Sequence, residues 1–143
     1  MKTIIVHHVQ KMWDSGLQRL GTDFHSEIEK IYEHLSQEQY DNVIVTNFEA
    51  GFGLDEEQSI LSEFYPTVYD YCYGWTEDSL DKNYHEWVEG GNHSEVVLID
   101  DWMKELEGEV YLCGAFDGEC IEDMEIALSG AGINFNRIEH LIN

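Results

Sequence analysis

Apolar residues along this chain come in two rhythms. Short unbroken runs, rich in β-branched side chains, predict strands buried on both faces: residues 3–9 (TIIVHHV), 42–47 (NVIVTN), 95–99 (EVVLI), 109–114 (EVYLCG) and 133–138 (INFNRI). Between them, apolar residues recur every three or four positions, the spacing of one helix face. Phe24, Ile28, Ile31 and Leu35 form such a face, with Thr22 and Asp23 able to cap it. Ile99, Trp102, Met103 and Leu106 form another, stopped by Gly108. Ile121, Met124, Ala127, Leu128 and Ala131 form the clearest, closed by Gly132. After the second run, Glu49–Gly53 breaks the pattern, and Asp55 opens a short helix carrying Ile60, Leu61 and Phe64 that Pro66 ends.

Strands alternating with helices predict crossover connections and a mostly parallel sheet covered on both faces, an α/β fold. No repeat, linker or low-complexity segment interrupts the pattern, so residues 1–143 read as a single domain. One segment resists this reading. Residues 66–92 hold many aromatic rings with no period. Together with Tyr65, the residues Tyr69, Tyr71, Tyr73, Trp75, Tyr84 and Trp87 suit either a loop pinned to the sheet or the wall of a pocket or interface.

Charge narrows the functional classes. Thirty acidic residues against seven Lys and Arg give a formal net charge of −23. Neutralising phosphates takes Lys and Arg, so direct nucleic-acid binding is excluded, and an anionic membrane surface is disfavoured for the same reason. No run reaches the ~18 apolar residues of a membrane span. The opening MKTIIVHHVQKMWD lacks a small-residue cleavage site and reads as a first strand. Three cysteines, Cys72, Cys113 and Cys120, are an odd number without framework spacing, which points to free thiols in a reducing, cytoplasmic setting. The acidity is then either an ordinary solubilising surface or a display of phosphate-like charge to a basic protein partner, in the host cytoplasm if the chain is viral.

Candidate chemistry centres on VYLCGAFDGEC. A strand ends at Gly114, and Cys120 opens a helix six residues later. In an open parallel sheet, ligands sit beyond the carboxyl ends of the strands, where this turn falls. Free N–H groups at a helix start stabilise a thiolate and can hold an oxyanion. Asp117, Glu119, Glu122 and Asp123 oppose this, because nearby carboxylates raise a thiol pKa. Among the histidines, His7 and His8 are adjacent and on a strand point to opposite faces, while His25 and His34 are nine apart on one helix, so no zinc-like spacing arises and no metal or cofactor is expected. Cys113 reads as core and Cys72 as packing.

The segment VYLCGAFDGECIEDMEIALSGAG resembles the nucleophile region of the isochorismatase-like, or nicotinamidase-like, cysteine hydrolases, in which a strand ends in glycine and the cysteine follows at a helix start. HSEVVLIDDWMKEL resembles the stretch after that family's catalytic lysine, and TIIVHHVQKMW its first strand, with Gln10 at the place of a characteristic glutamine. The resemblance implies a three-layer α/β/α, Rossmann-like fold, with the site at the ends of the first and penultimate strands. It implies Cys120 as nucleophile, a pocket with an oxyanion hole near Phe116, Asp117 and Glu119, and Gln10 close by. It also extends the family's habit of homo-oligomeric assembly to this chain.

Other family positions differ. His8 stands where the family has its aspartate base, Glu89 and Gly90 where its lysine falls, and NFEAG where nicotinamidases carry metal ligands. A Cys–His pair can still generate a thiolate, which makes His8 the candidate base. Two functions therefore compete: a cysteine hydrolase or small-molecule binder with an altered or lost triad, and a non-catalytic acidic interaction protein that acts as a nucleic-acid mimic or viral inhibitor.

Overall fold

The computed structural model describes residues 1–9, 24–47, 61, 64–70, 99–115, 117–118 and 120–143 of the chain. Eight elements run in the order β1 (Lys2–His7), α1 (Phe24–Gln37), β2 (Asn42–Asn47), β3 (Thr67–Asp70), α2 (Asp101–Lys104), β4 (Glu109–Gly114), α3 (Cys120–Gly130) and β5 (Asn136–Ile142). The strands form one sheet in the order β3-β2-β1-β4-β5, and all four pairings are parallel. This is an α/β fold, as the alternating pattern predicts.

β1 lies at the centre, and its sequence explains why. Ile4, Ile5 and Val6 are fully buried, so the strand has no wet face to offer and must be flanked on both sides. Val6 stands in register with Val45 and Cys113, and Ile5 with Ile44 and Leu112. Alternation along the strands sorts these residues into two cores. Ile4, Val6, Val45 and Cys113 cluster with Ile28 and Ile31 of α1. Ile5, Ile44 and Leu112 cluster with Trp102 and Met103 of α2 and with Ile121, Met124, Ala127 and Leu128 of α3. The helix faces of α1 and α3 are thus those that the spacing predicts.

Gly114 lets β4 end against β1. Its φ is +117°, and a Cβ there would lie 2.1 Å from the His7 carbonyl oxygen. That oxygen instead accepts the N–H of Ala115 at 2.9 Å. No residue other than glycine fits such an approach.

The structure departs from the sequence pattern in several places. β3 occupies residues that carry no period; Thr67, Val68 and Tyr69 suit a pleated surface, but four residues are too few to show alternation. The last strand spans 136–142 and not 133–138. Ile133 and Phe135 are spent on the α3-side core, and pairing begins only where Asn136 reaches Tyr111. The helix drawn through Ile99 and Leu106 covers just Asp101–Lys104. β1 stops at His7, short of the predicted 3–9. Residues 95–98 of the strand expected at 95–99, the start of the helix expected from Asp55 and most of the aromatic segment lie outside the described residues. Of the aromatic segment, Tyr69 stacks on Trp102 with centroids 4.8 Å apart, and Tyr65 packs on the α1-side core.

Candidate functional site

Chain direction reverses at the centre of this sheet. From β1 the chain builds outward through β2 and β3, and β4 and β5 then add on the other side. After β1 the chain passes to α1 on one face and after β4 to α3 on the other, which makes this the switch point, where ligands bind in open α/β sheets. β1 ends there at His7, β4 ends at Gly114, and Cys120 begins α3 just beyond. The parallel β1–β4 pairing therefore brings the first segment of the chain beside the strand that leads to the thiol, as the sequence reading requires.

The histidines are not arranged as a regular strand would leave them. His8 has φ = +51°, a left-handed conformation that bulky residues rarely adopt. Its backbone N–H still reaches across to β2, 3.2 Å from the Thr46 carbonyl oxygen and 3.3 Å from its Oγ1. The turn swings the His8 ring back over His7, and the two stack with centroids 3.6 Å apart and planes 22° from parallel. The expectation of opposite faces fails because the strand has already ended. Both rings are buried.

His7 meets the thiol-bearing residue. Its ring hydrogen-bonds the backbone of Cys120, and its Nδ1 lies 2.6 Å from Thr46 Oγ1. Burial pushes the His7 pKa well below 6.5; the neighbouring His8 pushes it the same way, and the bond to Cys120 opposes them. His7 is therefore neutral at pH 7. Cys120 is 7% exposed. Three residues on, Asp123 lies on the same helix face and is only 1% exposed. Burial, helped by the adjacent Glu122, pushes its carboxyl up to about 7. Cys113, on the other face of β4, is fully buried and its thiol is pushed up to about 12.

Asp117, assigned by sequence to the pocket, is exposed. Its carboxylate accepts a hydrogen bond from Arg137 Nη2 at 3.0 Å, and its backbone N–H donates to the Asn143 carbonyl at 2.6 Å. That N–H is engaged by the Asn143 carbonyl. Gln10, Phe116 and Glu119 lie outside the described residues. Sequence reasoning missed His7 and Thr46 as partners and weighed Asp123 only as a neighbouring charge. Only the last left a readable signal, its i+3 spacing from Cys120. Among the described residues, no group of three or more His, Cys, Asp or Glu side chains is placed to hold a metal ion. No helix among them is long and apolar enough to cross a membrane.

Fold and site together define an α/β protein with a buried Cys–His pair at the switch point of a parallel sheet. No family model, no curated protein and no solved structure matches the chain.

Proposed function

We propose that this chain is a divergent isochorismatase-like protein of three-layer α/β/α architecture, in which the switch point at the carboxyl ends of β1 and β4 binds a small molecule and Cys120 no longer acts as a nucleophile. The observation that carries this reading is the burial and hydrogen bonding of the His7 ring. A base must accept the thiol proton at a ring nitrogen. In His7, Nδ1 is engaged by Thr46, and the ring also bonds the Cys120 backbone. A thiolate–imidazolium pair would also place a cation in a fully buried ring stacked on a second imidazole, which desolvation and like-charge repulsion both oppose. Cys120 is then a neutral thiol lining a pocket.

Alkylation with iodoacetamide at pH 7.5, read cysteine by cysteine by mass spectrometry, tests this. Cys120 in the native protein should react at least ~100-fold more slowly than after unfolding, because the thiolate is the reactive species. No ammonia should be released from nicotinamide, and nicotinamide at millimolar concentration should raise the Tm of the wild type and Cys120→Ser alike. Rapid native labelling of Cys120, with an amidase activity that Cys120→Ala abolishes, would overturn the proposal in favour of an active hydrolase.

A second reading, an acidic protein that engages a basic partner, is favoured by a separate observation. Every described Lys and Arg is already paired: Lys2 with Glu38 at 3.6 Å, Lys30 with Glu27 at 2.9 Å, Lys104 with Asp101 at 3.5 Å, and Arg137 with Asp117, Glu125 and Glu139. With thirty acidic residues in the chain, the remaining carboxylates dominate the field outside it. This reading expects a complex with a basic protein that weakens steeply as salt rises and survives Cys120→Ser.

A further inference from the structure

At the other end of the sheet from Cys120, a concavity of about 320 Å³ opens between the end of α1 and the starts of β2 and β3. Its volume is at the small end of the range of about 300 to 1,000 Å³ found for ligand pockets. Leu35, Gln37, Glu38, Tyr40, Val43 and Tyr65 line it. We infer that this concavity binds an organic cation, a guanidinium or ammonium group carried on an aliphatic stem.

Three features select that chemistry. α1 ends beside the concavity, so the negative end of its dipole lies there. Glu38 adds a carboxylate, and Tyr40 and Tyr65 add rings whose faces attract cations. Leu35 and Val43 supply apolar surface for a stem. The chain already uses part of this set on a cation of its own. Lys2 Nζ lies 4.8 Å from the centre of the Tyr40 ring and 3.6 Å from Glu38 Oε2. The same carboxylate and ring therefore hold an ammonium group, and Lys2 is a built-in competitor for any incoming one. His34, bonded to the Tyr40 hydroxyl at 2.5 Å, has its pKa lowered by burial and adds no charge at pH 7.5.

This inference does not depend on Cys120, and either can fail without the other. The probes are n-butylguanidine, its neutral shape analogue N-butylurea, and the capped tripeptide acetyl-Gly-Arg-Gly-amide, each followed by titration calorimetry at pH 7.5 and low salt. The guanidine should bind saturably, and the urea should not. Glu38→Gln should weaken binding at least ~10-fold, and Tyr65→Leu about 5-fold. Lys2→Met should tighten it about 3-fold by removing the competitor. Glu122→Gln, the same charge change at the far end of the sheet, should leave it unchanged. Binding of the tripeptide as well would identify protein side chains as a source of the cation; binding of the guanidine alone would identify a free amine or guanidine. Absence of saturable binding, equal binding of N-butylurea, or equal losses in Glu38→Gln and Glu122→Gln would overturn the inference.

Discussion

Asp123 is a test of how the α3 end of the site is built. It is a carboxyl group at 1% exposure on a helix face otherwise filled by Ile121, Met124, Ala127 and Leu128. Its pKa of about 7 in the fold compares with 3.8 in the open chain. The folded state therefore holds a proton that the unfolded state has released, throughout the interval between those values. Stability contributed by the protonated form is complete below about pH 3.8, falls as pH rises, and is gone above about 7. At about 1.4 kcal/mol per tenfold change, the cost of ionised Asp123 reaches a ceiling of about 4 kcal/mol at pH 8, against about 2 kcal/mol at pH 5.5. Asp123→Asn keeps the shape and removes the ionisation. The variant should be more stable than the wild type, and its advantage should widen by about 2 kcal/mol between pH 5.5 and 8. Urea unfolding at the two pH values, with equal m-values required, measures this. Both pH values stay above the sequence pI of about 4.2, where precipitation would interfere. His7 acts in the opposite sense: an imidazole kept neutral in the fold costs stability as pH falls through about 6.5. That loss is common to both chains and cancels in their difference. An advantage that is flat with pH, or a variant less stable at pH 8, would show that the fold does not raise the Asp123 pKa, and would refute the reasoning.

Three further outcomes follow from the geometry. Thr46→Val removes the hydroxyl that bonds His7 Nδ1 and lies 3.3 Å from the His8 N–H, and should cost about 1–3 kcal/mol in urea unfolding, because a buried ring nitrogen is left without that bond. Gly114→Ala forces a Cβ against the His7 carbonyl at a left-handed φ; it should cost more than about 3 kcal/mol or abolish soluble expression, and a wild-type Tm would contradict the close approach of β4 to β1. Arg137→Leu opens a part-exposed ion cluster with Asp117, Glu125 and Glu139 and should cost about 1 kcal/mol at low salt, shrinking toward zero in 1 M NaCl, as comparison of unfolding midpoints at the two salt levels would show.

The elements with strong local signals are legible in the chain itself. TIIV and EVYLCG are too apolar to be anything but central strands, and they pair side by side with Ile4, Ile5, Val6, Leu112 and Cys113 fully buried. The helix face of Ile28, Ile31 and Leu35 and that of Ile121, Met124, Ala127 and Leu128 follow from spacing alone, since a helix repeats every 3.6 residues wherever it docks. Cys120 at a helix start beyond Gly114 follows from the same local rules. Short and edge elements are not legible. β3 has only four residues, and β5 takes its limits from where β4 offers free backbone groups, not from its own alternation.

The site divides in the same way. Residue types near the thiol can be read from the chain: a cysteine at a helix start, acidic residues in the first turn, two histidines at the end of a strand. How the two histidines are arranged cannot, because the left-handed backbone at His8 and the stacking of its ring on His7 leave no mark in the local sequence. Thr46 lies 39 positions from His7, and no local rule links them; the parallel register of β1 and β2 alone sets them 2.6 Å apart. Periodicity and composition act over a few residues and so fix secondary structure and burial. Hydrogen-bond partners and proton positions depend on groups far apart in the chain, and only the folded sheet brings those together.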